Sequence, residues 1–199
     1  MIALPRLFAH RCGGAGAPEN TLAGLRAAVA AGCRAVEFDV MLSGDGTPVL
    51  IHDETLERTT NGTGEVSCTP DRVLFALDAG HGEPIPTLVQ AADFCMRHDL
   101  FANVEIKPAS GHDAATGEAV ARYVAAHWRG TMPLLSSFSA EALAVAQRVA
   151  PQLHYGQLFE DVPHDWLQRQ RTLGARTLHC DHARLRDDVL AEAAAAGVP

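Results

Sequence analysis

Short apolar runs alternate with amphipathic segments along the whole chain, and this alternation narrows the possible folds more than any other feature. We identify seven candidate strands, at residues 7–11, 35–42, 48–53, 101–107, 133–138, 154–159 and 177–181. Six candidate helices lie between and after them, at residues 21–31, 88–98, 115–128, 140–149, 165–173 and 187–196. Strands that alternate with helices in this way form a parallel sheet covered by helices. The sequence therefore predicts an α/β protein.

The length of 199 residues suits one domain with a sizeable core, and 47% of the residues are hydrophobic. We therefore expect a single domain over residues 1–199. Residues 54–86 are rich in glycine, proline and threonine and show no sustained hydrophobic period. Such a stretch predicts a segment inserted after the third strand, where it can cover a site.

The predicted elements suit either a (β/α)₈ barrel or an open doubly wound sheet. Seven strands do not close such a barrel, and an eighth strand would have to follow Pro199. The candidate ligand residues described below come from consecutive strands, which favours the barrel. We predict a TIM-like (β/α)₈ barrel whose final strand and helix are missing from this chain.

Composition and charge argue against several classes of partner. The formal charge is -8, the pI is about 5.6, and no run of Lys and Arg is available to neutralise a nucleic-acid backbone. The chain has neither a secretion signal nor an apolar run of 18 residues, so we expect a cytoplasmic protein without stable membrane insertion. Its five scattered cysteines predict reduced thiols. The sequence gives no indication of the oligomeric state.

Three acidic residues are predicted to point into the barrel. Along residues 35–40, strict alternation separates apolar side chains on one face from Glu37 and Asp39 on the other. The same alternation turns Glu105 and Lys107 inward. Buried carboxylates are costly unless a cation neutralises them, and three oxygen ligands suit Mg²⁺ or Ca²⁺ better than zinc. A structural ion pair between Glu105 and Lys107 is the alternative.

Two histidines are predicted at the carboxyl-terminal rim of the strands, where barrel enzymes place their catalytic groups. His10 ends the first candidate strand and His52 ends the third. Beside a metal, such a pair suits acid–base work, because an imidazole with an ordinary pKa of about 6.5 can take up or release a proton near neutral pH. Arg11 follows His10 and is expected to hold two phosphate oxygens in its planar fork.

The chain resembles the glycerophosphodiester phosphodiesterase family, in its cytoplasmic bacterial form, through an ordered series of short motifs. They are His10-Arg11, P-E-N-T at 18–21, E-F-D at 37–39, D-G at 45–46, H-D at 52–53, R-T-T at 58–60 and E-I-K at 105–107. A weaker likeness continues through L-D-A-G at 77–80, I-P-T-L at 85–88 and S-S-F at 136–138. The resemblance therefore covers most of the chain.

This resemblance implies a TIM-like barrel with a small insertion after the strand that ends at His52. It implies one divalent cation, Mg²⁺ or Ca²⁺, held by Glu37, Asp39 and Glu105. It also implies that His10 and His52 are the catalytic acid–base pair. Arg11 and Lys107 are implied to bind the phosphodiester, and Glu19 and Asn20 to contact or orient the substrate site.

The chain departs from the family pattern in two places. The family usually has glycine directly after His-Arg, whereas this chain has Cys12 followed by Gly13 and Gly14. We expect the loop near the phosphate to be altered there. The family also has a further strand that contains a tryptophan, and a final helix, which we expect beyond Pro199.

We predict metal-dependent hydrolysis of a small glycerophosphodiester, such as glycerophosphocholine or glycerophosphoethanolamine, to sn-glycerol 3-phosphate and the free alcohol. The nucleophile is either water or the substrate's own glycerol 2-hydroxyl, and the sequence does not say which histidine is the base. One alternative is a related lipid phosphodiesterase of the lysophospholipase D type. The other is an inactive barrel that binds a phosphorylated ligand, which predicts a substitution among the metal-binding and catalytic residues. All five are present: His10, Glu37, Asp39, His52 and Glu105.

Overall fold

The computed structural model describes residues 4–13, 16–107 and 109–199, and within them a single sheet of six strands. The strands are β1 (Ala35–Leu42), β2 (Pro48–Leu50), β3 (Phe101–Ile106), β4 (Leu134–Ser137), β5 (His154–Phe159) and β6 (Thr177–Cys180). Their order in the sheet is β2-β1-β3-β4-β5-β6. The neighbours from β1 through β3 to β6 are all parallel, whereas β2 is antiparallel to β1.

The prediction of a strand at residues 7–11 is wrong. Ala9 alone pairs with Val36 in a parallel bridge, through Ala9 N to Ala35 O (2.9 Å) and Glu37 N to Ala9 O (3.0 Å). The chain then turns into a short 3₁₀ helix at His10–Cys12. Strand pairing at this position is therefore limited to Ala9, because the 3₁₀ helix begins at the next residue.

The third predicted strand, at residues 48–53, is shorter than expected and runs in the opposite direction. β2 ends at Leu50 and forms a hairpin with β1 through a turn in which Gly46 has φ = 81°. Glycine adopts this left-handed conformation without steric cost. After β2 the chain remains beside β1, since Ile51 N donates to Asp39 O (3.2 Å). The hairpin, and not a parallel crossover, brings His52 to the acidic strand.

The six predicted helices are all present, and their ends lie within two residues of the predicted ones. They are α1 (Leu22–Ala30), α3 (Leu88–Arg97), α4 (Asp113–His127), α5 (Ala140–Val149), α6 (Trp166–Leu173) and α7 (Asp187–Ala196), and the short helix α2 (Asp71–Leu74) precedes α3. Hydroxyl caps fix three of the starts: Thr21, Thr87 and Ser139 each accept a hydrogen bond from a backbone N–H of the first turn.

Alternation along β1 divides its side chains between two environments. Val36, Phe38 and Val40 are fully buried in the main apolar cluster, together with residues of α1, α3, α4 and α5. Glu37 and Asp39 lie on the opposite face, inside the curve of the sheet. The helices therefore bury one face of the strand, and the polar chemistry is confined to the other.

Residues 54–86 form a small apolar cluster of their own, which packs beside the β1–β2 hairpin. The cluster joins Met41 and Val49 of the hairpin to Leu56, Leu74 and other residues of the segment. The segment also contains a 3₁₀ helix at Val66–Cys68. It is thus anchored by apolar contacts directly beside the carboxyl end of β1.

Within the described residues the six-stranded sheet is not closed, which corresponds to an incomplete barrel. An open cavity of about 610 Å³ lies between the N-terminal segment and β6, and Phe8, Glu37, Asn103 and Leu178 are among its lining residues. None of the described helices combines the length and the apolar character needed to cross a bilayer.

The tightest helix contact gives a prediction about stability. A Cβ added to Gly117 of α4 would lie 2.4 Å from the carbonyl oxygen of Ala142 in α5. Gly117→Ala should improve helix propensity by about 1 kcal/mol but cost about 1–3 kcal/mol through overpacking. We expect a net loss in the free energy of unfolding, measured by urea denaturation. The exposed Ala125→Gly in the same helix isolates the propensity effect, and a stabilised Gly117→Ala variant would contradict the packing described here.

Candidate functional site

Three carboxylates from two neighbouring strands meet inside the sheet. One oxygen from each of Glu37, Asp39 and Glu105 lies within 4.8 Å of the others. All three residues are buried, with 7%, 1% and 7% of their surfaces exposed. The parallel register pairs Asp39 with Glu105, so the fold itself brings these two carboxylates side by side. The structure thus brings together the three residues that the sequence predicts as metal ligands.

The carboxylates destabilise one another's charged forms. Burial, followed by the negative charge of Asp39, raises the pKa of Glu37 to about 8. Burial also raises the pKa of Glu105, and Lys107 partly opposes this rise. Glu37 Oε1 is buried and has no hydrogen-bond partner among the described residues. An unpartnered oxygen in a cluster of three carboxylates fits a hard divalent cation, which would supply the missing positive charge.

Asn20 holds the central carboxylate in place. Its side-chain amide donates to Asp39 Oδ2 (2.8 Å), and its side-chain oxygen accepts from the backbone N–H of Asp39 (3.1 Å). Asn20 is itself buried and has a left-handed backbone, with φ = 53°. Both ends of its amide are therefore used on Asp39. These contacts favour an orienting role over direct contact with a substrate.

Arg11 lies beside the acidic cluster in an unusual backbone conformation. Its φ is 49°, which is uncommon for a residue with a side chain. In this position its backbone N–H donates to Glu37 Oε2 (2.9 Å), and its Nε lies 3.8 Å from Asp39 Oδ2. Its Nη1 donates to Glu19 Oε1 (3.0 Å). The short 3₁₀ turn thus directs both the backbone and the side chain of Arg11 toward the carboxylates.

Cys12, the departure from the expected glycine, also lies in this turn. Its φ is 66°, a conformation that glycine adopts more readily, and its side chain is fully buried in the main apolar cluster. Burial raises the pKa of its thiol well above the ordinary range. The turn is therefore kept, and the cysteine serves as a core residue. Gly14, which follows in the same motif, lies outside the described residues.

The two histidines approach the acidic cluster at different residues, His10 at Glu37 and His52 through Lys107. His10 is at the mouth of the site with 74% of its side chain exposed, and its Nε2 lies 3.7 Å from Glu37 Oε2. Partial desolvation and the positive charge of Arg11 lower the pKa of His10. His52 Nε2 lies 3.2 Å from Lys107 Nζ. Lys107 Nζ in turn lies 2.9 Å from Glu105 Oε1 and 3.8 Å from Asp39 Oδ1.

Two residues near the site belong to the recognised motifs, but sequence reasoning gave them no role. Asp53 Oδ1 lies 2.6 Å from His52 Nδ1. Arg58 hydrogen-bonds both to Asp53 and to Glu19. The signals were present, since Asp53 completes the H-D motif and Arg58 begins R-T-T. The contact between Arg58 and Glu19 was not predictable, because it joins residues 39 positions apart in the sequence.

The site opens to solvent on the side of His52. A cleft of about 720 Å³ is lined by His52, Asp53, Lys107, Phe138 and Glu160, among others. Lys107 Nζ lies 5.7 Å from the centre of the Phe138 ring, a cation–π distance. The cavity of about 610 Å³ beside β6 reaches His10 and Glu37. Solvent-open space thus adjoins the site both beside His52 and beside His10.

Comparison with known proteins gives a consistent result. The model of the glycerophosphoryl diester phosphodiesterase family matches residues 10–199. A glycerophosphodiester phosphodiesterase from Caldanaerobacter subterraneus is 34% identical over 161 residues, which are 77% of this chain and 66% of the relative. Mouse glycerophosphodiester phosphodiesterase 1 is 41% identical over 109 residues, or 50% of this chain and 33% of the relative. The chain thus spans from one third to just under two thirds of these relatives.

Solved structures show the same relationship. A phosphodiesterase from Oleispira antarctica, in complex with the product sn-glycerol-3-phosphate, superposes with a TM-score of 0.94 at 37% identity, over 98% of this chain and 82% of that chain. A glycerophosphodiester phosphodiesterase from Agrobacterium tumefaciens gives a TM-score of 0.76 at 28% identity, over 95% of this chain and 82% of that chain. These neighbours confirm the predicted fold class, an α/β protein of the TIM-barrel type.

The acidic cluster predicts how a divalent cation changes stability. Glu37 has a pKa of about 8 in the folded protein, against an ordinary value of 4.5. Between these values the folded state holds more protons than the unfolded state, so Glu37 lowers the stability of the cation-free protein as pH rises. Bound Mg²⁺ or Ca²⁺ needs ionised carboxylates. The rise in melting temperature caused by the cation should therefore grow as the pH increases from about 5 to about 8.

Glu37→Gln tests this assignment. Its melting temperature is measured with chelator and with cation, as for the parent protein. Its neutral amide removes the charge repulsion, so we expect the cation to stabilise it much less at every pH. Glu118→Gln, which changes an exposed carboxylate of α4, should behave like the parent protein. Equal stabilisation of the parent and Glu37→Gln would contradict the assignment of the cation to this cluster.

Proposed function

Because this chain belongs to the glycerophosphoryl diester phosphodiesterase family, we propose that it hydrolyses a small glycerophosphodiester, such as glycerophosphocholine or glycerophosphoethanolamine, to sn-glycerol 3-phosphate and an alcohol. The observation that carries this proposal is the buried carboxylate cluster flanked by two histidines and two cationic side chains. The relative from Oleispira antarctica, which is bound to sn-glycerol-3-phosphate, supports the same class of substrate.

The proposed cofactor is one divalent cation, Mg²⁺ or Ca²⁺, held by Glu37, Asp39 and Glu105. The oxygen-only donor set and the unpartnered Glu37 Oε1 support it. When bound, such a cation polarises a phosphoryl oxygen and stabilises negative charge. Asn20 would keep Asp39 oriented toward it through two hydrogen bonds.

Arg11 and Lys107 are proposed to bind the phosphodiester. They approach the acidic cluster from two sides, with Arg11 Nε 3.8 Å from Asp39 Oδ2 and Lys107 Nζ 3.8 Å from Asp39 Oδ1. A guanidinium can hold two phosphate oxygens, and an ammonium acts as a compact charge. Placed on both sides of the reacting phosphorus, they would stabilise the charge that develops on its oxygens.

His10 and His52 are proposed to exchange protons with the reacting groups. Both Nε2 atoms face the site, toward Glu37 and Lys107 respectively. One imidazole would remove the proton of the nucleophile, and the other would protonate the leaving alkoxide. Water and the glycerol 2-hydroxyl are the two candidate nucleophiles. Attack by the hydroxyl would expel the alcohol and produce a cyclic phosphate, which water would then open to glycerol 3-phosphate. Detection of that cyclic phosphate by ³¹P NMR during turnover distinguishes them.

The direct test is release of glycerol 3-phosphate from glycerophosphocholine by the purified chain. We expect release with Mg²⁺ or Ca²⁺ and a loss of at least about 100-fold with chelator, because the carboxylates alone repel an anionic phosphate. A lysophospholipid offered in parallel tests the lipid phosphodiesterase alternative. Metal-dependent cleavage of that lipid alone would overturn the proposed substrate class, and no cleavage of either by the folded chain would count against catalysis.

Histidine variants test the acid–base assignment. His10→Ala and His52→Ala should each lower kcat by about 100-fold or more, because each removes a proton-transfer group. Both should still be stabilised by the cation, since neither imidazole belongs to the acidic cluster. The exposed His164→Ala is the matched control. Full activity in either site variant would contradict the role proposed for that histidine.

A further inference from the structure

The guanidinium of Arg58 joins two carboxylates that each hold a different site residue. Its Nε and Nη2 donate to Asp53 Oδ2 (2.5 Å) and Oδ1 (3.0 Å). Its Nη1 and Nη2 donate to Glu19 Oε2 (2.9 Å) and Oε1 (2.9 Å). Both edges of the planar fork are therefore used in two-pronged pairs. Within the described part of the chain, Arg58 has no side-chain hydrogen bond to any other residue.

On one side, this arrangement reaches His52. Asp53 Oδ1 lies 2.6 Å from His52 Nδ1, and Lys107 Nζ lies 3.2 Å from His52 Nε2. An ionised carboxylate only accepts hydrogen bonds, and a lysine ammonium only donates them. The neutral imidazole must then carry its proton on Nδ1 and keep the lone pair of Nε2 toward the site. Both neighbours favour this tautomer, and Asp53 is the one that accepts the Nδ1 proton.

On the other side, the arrangement reaches Arg11. Glu19 Oε1 accepts both from Arg58 Nη2 (2.9 Å) and from Arg11 Nη1 (3.0 Å). This carboxylate therefore ties one edge of the Arg11 guanidinium and leaves the Nε side directed toward Asp39. His52, Asp53, Arg58, Glu19 and Arg11 form one continuous chain of charged hydrogen bonds.

Arg58 is the member of this hydrogen-bond series that the inserted segment contributes. Arg58 lies within the segment 54–86, and 45% of its side chain is exposed. A single exposed ion pair contributes little to folding stability. Four charge-assisted hydrogen bonds in a fixed planar geometry do, however, restrict the directions of both carboxylates. Arg58 is therefore better suited to orienting Asp53 and Glu19 than to stabilising the fold.

We propose that Arg58 is a positioning residue, through which the inserted segment orients His52 and Arg11 together by fixing Asp53 and Glu19. This inference rests on the proposed function for its effect on turnover. Its effect on His52 is independent of turnover. Arg58 does not touch the acidic cluster, so its loss should leave cation binding intact.

The first test reads the tautomer of His52 without any substrate. Two-bond ¹⁵N–¹H correlation spectra at about pH 8 distinguish protonated from unprotonated imidazole nitrogens, and His52→Gln identifies the signals of this residue. We expect a protonated Nδ1 and an unprotonated Nε2 in the parent protein. In Arg58→Gln the two nitrogen shifts should move toward each other, and in Asp53→Asn they should move further.

Arg26→Gln is the matched control, because it removes another arginine that pairs with a carboxylate of the inserted segment, Glu83 (2.6 Å), away from the site. Its His52 signals should match those of the parent. Unchanged His52 signals in Arg58→Gln, or a parent protein with the proton on Nε2, would overturn the inference whether or not the protein is a phosphodiesterase.

The second test uses the kinetics of glycerophosphocholine hydrolysis. Arg58→Gln should lower kcat/KM by about 10–100-fold, with a decrease in kcat and an increase in KM. Asp53→Asn should act mainly on kcat, and Glu19→Gln mainly on KM. Arg58→Lys should restore only part of the loss, because one ammonium cannot form two planar pairs. Full restoration of kcat/KM in Arg58→Lys would overturn the inference. A decrease in Arg58→Gln no larger than that in Arg26→Gln would also overturn it. In either case, activity of the parent enzyme would leave the proposed function standing.

Discussion

Mutual repulsion among three buried carboxylates is the constraint on which the rest of the site depends. Glu37, Asp39 and Glu105 lie together because parallel pairing of β1 with β3 places Asp39 beside Glu105, and strand alternation turns Glu37 to the same face as Asp39. The surrounding groups relieve only part of this cost: Arg11 and Lys107 approach from the sides, and Asn20 satisfies Asp39. The cluster therefore has uncompensated negative charge, which a divalent cation can neutralise. A cation bound to this cluster would link folding stability to cation affinity through the same three side chains.

The site is assembled from strand residues and from turn residues. The carboxylates and Lys107 lie on or directly after strands that helices bury on the other face, which gives them fixed directions. Arg11, Glu19 and Arg58 lie in turns. There, ion pairs between side chains fix the directions that the sheet fixes for strand residues. Charged hydrogen bonds between turns can hold such residues only if each partner is itself held. This requirement explains why a single arginine contacts carboxylates from two separate segments.

The hydrophobic pattern was enough to predict the helices and most strands, because β1 and β3 alternate cleanly and α3 and α5 begin at hydroxyl caps. It failed at residues 7–11, where a positive φ at Arg11 turns the chain, and at the direction of β2, which depends on a tight turn. The three carboxylates were predictable from alternation alone. The contacts of Arg58 were not, since they depend on how the inserted segment folds back across the site. The single-domain boundary and the catalytic roles remain predictions.

The most direct measurement is a crystal structure of the protein with Mn²⁺ and glycerol 3-phosphate, recorded at the manganese absorption edge. Manganese replaces Mg²⁺ at oxygen-ligand sites and gives an anomalous signal. We expect one strong peak in contact with Glu37, Asp39 and Glu105, with the phosphate between Arg11 and Lys107. A manganese ion bound elsewhere, or a phosphate bound away from the acidic cluster, would contradict this expectation.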